Sequence, residues 1–84
     1  MKKTHLENII QTLIDNMKQG TQEGHFWFWR YMEQLCDKEN DELYILGDLP
    51  LLAEVLQETS ATSLTEILGL FDVHATQELE RLLA

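Results

Sequence analysis

The stretch Thr4-His5-Leu6-Glu7-Asn8-Ile9-Ile10-Gln11-Thr12-Leu13-Ile14-Asp15-Asn16-Met17-Lys18 decides the fold class. Leu6, Ile9, Ile10, Leu13, Ile14 and Met17 fall at i, i+3, i+4, i+7, i+8 and i+11, one continuous apolar stripe at helical period. Thr4 and Glu7 fit a capping box, in which the threonine holds a backbone N–H and the glutamate reaches back. Lys18 suits the negative C-terminal end of a helix, and Gly20 suits the left-handed residue that stops one. The spacing predicts a helix from about residue 5 to 19.

Beyond the polar loop expected over Gln19–Gly24 comes His25-Phe26-Trp27-Phe28-Trp29-Arg30-Tyr31-Met32-Glu33-Gln34-Leu35-Cys36, with five of the seven aromatic residues. Aromatic residues favour strands. Yet Arg30, Glu33, Gln34 and Asp37 recur at i, i+3, i+4 and i+7, a polar stripe of helical period. A helix is therefore expected, with Thr21 as its N-cap. Phe28, Trp29, Met32, Leu35 and Cys36 form its apolar face. Phe26 falls on the polar side above Arg30, and Trp27 and Tyr31 on its flank, so more apolar surface is present than one face buries.

A charged connection, Asp37–Glu42, precedes Leu43-Tyr44-Ile45-Leu46 and Gly47. No second strand is in sight to pair with those four apolar residues, so a short helix over about 41–46 is expected. Asp48-Leu49-Pro50 reads as a helix start, because proline is tolerated in a first turn. Leu49, Leu52, Ala53 and Leu56 follow at helical spacing, with Val55 beside them. Glu58–Thr62 breaks the pattern. Ser63 and Glu66 form a second capping box before the stripe Leu64, Ile67, Leu68 and Phe71, which Gly69 weakens. Asp72–Thr76 reads as a junction, and Ala75, Leu79, Leu82 and Leu83 give a last helix. Pairs of Glu with an apolar residue recur every twelve positions from Glu42-Leu43 to Glu78-Leu79. Twelve residues are too few for a solenoid unit, so coincidence or short helices of similar design account for them. The expected architecture is all-α, one domain over residues 1–84, a small irregular bundle of four to five short helices.

The composition narrows the functional classes. Six Lys+Arg against 15 Asp+Glu give a net charge of −9, distributed as +1 over residues 1–20 and −10 over 21–84. Such a chain repels phosphate backbones and anionic membrane surfaces, so neither nucleic acid nor membrane is an expected partner. One cysteine, Cys36, excludes an intrachain disulfide. Met1-Lys2-Lys3 resembles the head of a signal peptide, but Glu7, Asn8, Gln11 and Asp15 interrupt the apolar run that should follow. No stretch is apolar for the ~18 residues of a membrane span. A cytoplasmic location is the resulting expectation.

Residue chemistry adds little. His5, His25, His74 and Cys36 lack the i, i+4 or Cys-x-x-Cys spacing of zinc sites. Asp37, Glu39, Asp41 and Asp48 imitate a calcium loop, but Glu42 stands where that loop needs glycine, and Asp48 where it needs glutamate. No nucleophile elbow, phosphate loop or dinucleotide fingerprint occurs. Cys36 falls on an apolar face, where a free thiol is an inert hydrophobe. No catalytic residue, metal or cofactor is expected.

The aromatic cluster is the distinctive feature. Phe28 and Trp29 read as core, whereas Phe26, Trp27, Arg30 and Tyr31 read as an interaction surface, because Trp, Tyr and Arg dominate interface hot spots. The leading expectation is a non-catalytic, self-associating interaction or regulatory module whose partner is another protein or another copy. The alternative is an acidic inhibitor or immunity-type protein that masks a basic surface. A small-molecule binder with an aromatic-lined pocket between helices is a third reading.

Overall fold

A computed structural model describes residues 2–18, 20 and 22–84, with 22–24 described as backbone only. Among the described residues all regular structure is helical: α1 (Lys3–Lys18), α2 (Gln22–Leu35), α3 (Leu49–Glu58), α4 (Leu64–Leu68) and α5 (Val73–Leu83). The expected all-α bundle of short helices is what the chain forms.

The apolar stripes dictate the arrangement. Leu6, Ile9, Ile10 and Leu13 of α1 are buried, as are Phe28, Met32 and Leu35 of α2. α3 sits at the centre, with Leu52, Val55 and Leu56 inaccessible to solvent. It packs on α1 and on α5, while α1 also packs on α2 and α4 on α5. Leu64 and Leu68 of α4 and Leu79 of α5 complete the core. At one edge Lys3 Nζ lies 3.1 Å from Glu54 Oε1 and 2.9 Å from Glu58 Oε1, tying the start of α1 to α3.

Helix ends follow local chemistry in part. Asp48 caps α3 by accepting the Leu51 N–H, and Pro50 occupies the first turn, as the sequence requires. Gly20 has φ +65°, the left-handed conformation expected after α1. The N-cap expected at Thr21 lies outside the described residues. Three boundaries differ from expectation. α1 begins at Lys3, with the Leu6 N–H already bonded to Lys2 O, so Thr4 stands inside the first turn and does not cap it. Ser63 occupies the N-cap of α4 with helical angles, and its hydroxyl makes no capping bond; the Glu66 N–H goes to Ser63 O instead. α5 starts at Val73, within the expected junction, because Asp72 Oδ1 accepts the Ala75 N–H at 3.0 Å and caps it.

The helix expected over 41–46 does not form. Asp37 Oδ1 accepts the Glu39 N–H, and Asn40 O accepts both the Leu43 and Tyr44 N–H groups, closing turns. Ile45 then donates to Leu35 O at 3.1 Å, which draws the chain back to the end of α2. Ile45 and Leu46 are buried from this irregular backbone. A helix of one or two turns gains too little to compete with such tertiary anchoring. The α3 C-terminus is also distinctive. Ala61 N–H bonds to Leu56 O and Ser60 N–H to Gln57 O, a Schellman closure whose left-handed position, φ +56°, is held by Ser60 rather than glycine.

Candidate interaction surface

α2 carries more aromatic surface than the core accepts. With Met32 at the centre of the buried face, Phe28 and Leu35 fall one turn to either side of it and are buried. Phe26 lies toward the opposite face and Trp27 on a flank, and each is 55% exposed. Their rings meet edge to face, with centroids 5.3 Å apart. The Arg30 guanidinium stands 5.9 Å from the Phe26 centroid, as i, i+4 spacing allows. Tyr31 is half-buried and packs against the core, and burial raises its phenol pKa above the ordinary value. The four residues singled out from the sequence thus divide: Phe26, Trp27 and Arg30 form one exposed cluster, and Tyr31 is mostly a core-edge residue.

Trp29 departs from expectation. It reads as core in the sequence but is 40% exposed. It lies on the edge of the buried face, where it packs edge to face on Phe28 and in a tilted arrangement, with centroids 6.0 Å apart, on Phe71. Phe71 was expected to extend the apolar stripe of α4. Instead α4 ends at Leu68 with Gly69 as C-cap, and Leu70 and Phe71 follow in a turn. Leu70, Phe71 and Val73 are consequently exposed. Sequence reasoning missed this second apolar region; Ser63 and Gly69, bracketing only five residues, were the available signal. Next to Trp29 lies a cavity of about 240 Å³ lined by Met17, His25, Phe28 and Ile67.

Reactive groups are subdued. Cys36 is half-buried at the end of α2, and burial, aided by the charge of Asp72, pushes its thiol up to about 11. Among the described residues no group of three or more His, Cys, Asp or Glu is placed to hold a metal ion. Among the same residues no helix is long and apolar enough to cross a membrane. No protein-family model, no curated protein and no solved structure matches this chain.

Proposed function

We propose that this protein is a non-catalytic interaction module that associates with a second copy of itself through the Phe26–Trp27–Arg30 cluster of α2. The observation that carries the reading is the 55% exposure of both Phe26 and Trp27 in a domain whose other α2 aromatics are used in packing. Exposed aromatic clusters of this kind mark interfaces, and an arginine stacked among them adds a planar donor fork. Association between copies at net charge −9 has to overcome mutual repulsion, so it strengthens as salt screens the charge. The test is sedimentation equilibrium over a wide concentration range at low and moderate salt. A concentration-dependent increase in mass that Trp27→Ala abolishes, with the fold intact by circular dichroism, supports the proposal. A strictly monomeric mass at every concentration and salt level refutes it.

One observation favours the acidic-inhibitor reading. Lys3 is already neutralised by Glu54 and Glu58, and Arg81 by Glu78, which leaves much of the remaining surface acidic. A basic partner is then recognised by complementary charge, and that binding weakens with salt. The opposite salt responses separate the two readings.

A further inference from the structure

Where α3 gives way to α4, the chain faces the C-terminal end of α1 across an open cavity of about 480 Å³. That volume lies within the roughly 300–1,000 Å³ range of small-molecule sites. Its wall is apolar: Leu64 and Ala61 are buried, Ile14 is half-buried and Met17 is 48% exposed. Met17 also lines the smaller cavity beside Trp29, so the apolar surface runs on toward Phe28 and Ile67.

The polar side chains on this cavity are few: three hydroxyls and one ammonium. Ser60 faces it from a left-handed backbone, φ +56°, a position at which glycine is the unstrained choice. A side chain retained at the cost of strain is a pointer to a role for that side chain. Ser63 faces it with a hydroxyl that the cap of α4 does not use. Thr59 is different, because its hydroxyl is committed to Val55 O at 2.8 Å. Lys18 is the one charged residue among the described residues lining the cavity, in a chain where acids outnumber bases 15 to 6. An ammonium and two hydroxyls beside an apolar wall complement an anion with a hydrocarbon tail.

We propose that this cavity binds a straight-chain carboxylate. The chain lies over Ile14, Met17, Ala61 and Leu64. The carboxylate accepts hydrogen bonds from the Lys18 ammonium and from the Ser60 and Ser63 hydroxyls. The site is separate from the Phe26–Trp27 cluster, so it stands or falls independently of self-association.

The experiment is isothermal titration of the folded protein with dodecanoate and with dodecyltrimethylammonium, both below micelle-forming concentrations, alongside ¹H–¹⁵N spectra. Dodecanoate binds at least tenfold more tightly than the cationic amphiphile, and its shifts centre on Met17, Lys18 and residues 60–64. Lys18→Gln, at an exposed position, abolishes that preference. Ser60→Gly, which suits the backbone, keeps the fold and weakens dodecanoate severalfold. The absence of dodecanoate binding, equal affinity for the two amphiphiles, or undiminished dodecanoate affinity in Lys18→Gln overturns the proposal. So do shifts confined to another part of the molecule.

Discussion

Thr65 offers the sharpest test of the packing argument. It is 5% exposed in α4, and its Oγ1 has no hydrogen-bond partner among the described residues. Ala61 O, the carbonyl four residues back that a helical threonine ordinarily uses, is engaged by the Leu64 N–H at 3.1 Å. Burying a hydroxyl without a partner costs about 1–3 kcal/mol on protein mutational scales. Valine has nearly the same shape and a similar helix propensity, so Thr65→Val removes that cost with little change in packing. The expected gain is about 1 kcal/mol or more, with a rise in Tm of about 4–8 °C per kcal/mol for a domain of this size. Thr65→Ser makes the complementary change: it keeps the hydroxyl, loses a methyl, and costs about 1 kcal/mol. Urea denaturation followed by circular dichroism gives both values, provided m stays constant across the series. The expected order of stability is Val, then Thr, then Ser. A valine variant less stable than the parent shows that the hydroxyl is satisfied and refutes the reasoning.

Three other outcomes follow from local structure. Ser60→Gly relieves a left-handed residue and stabilises by about 0.5–1 kcal/mol once the flexibility of glycine is counted, as measured by thermal melting. Asp48→Ala removes the cap of α3 and costs about 1 kcal/mol by urea denaturation, whereas Thr4→Ala, inside the first turn of α1, costs little. Stability is independent of alkaline pH until about 9 and then falls. The Cys36 thiol ionises near 9.0 when exposed and at about 11 when folded, so rising pH deprotonates the unfolded chain first. Tyr31, raised by burial, and Lys3, raised by hydrogen bonds to Glu58 and then Glu54, act in the same direction at higher pH. Denaturation curves taken between pH 8 and 11 check this, and Cys36→Ala should flatten the first part of the decline.

What the sequence revealed was what repeats locally. The α1 stripe ran unbroken over the twelve residues from Leu6 to Met17, and Asp48 with Pro50 marked a start that no neighbour had to supply. The 41–46 segment was illegible because Ile45 is anchored by Leu35 O, a bond between residues that periodicity does not connect. The candidate surface divided along the same line. The exposure of Phe26 was implied by its place above Arg30 on the polar side of the helix. The position of Trp29 depended on Phe71, and hence on where α4 ends. A flank residue is core or surface according to what arrives beside it, which a helical wheel does not contain.

The central position of α3 has a consequence for the order of folding. α1 with α2, and α4 with α5, are pairs of sequence neighbours, and contacts of that kind form early because little chain must be closed. The most extensive helix–helix packing between the two pairs runs through α3, with the Trp29–Phe71 contact joining them directly at one side. The Lys3 contacts with Glu54 and Glu58 span 51 and 55 residues, so this closure comes at the largest entropic cost. α3 therefore acts as the keystone of the folding reaction. The expected outcome is that the two halves assemble locally and that φ-values are highest for core residues of α3, which folding and unfolding rates of α3 variants measure.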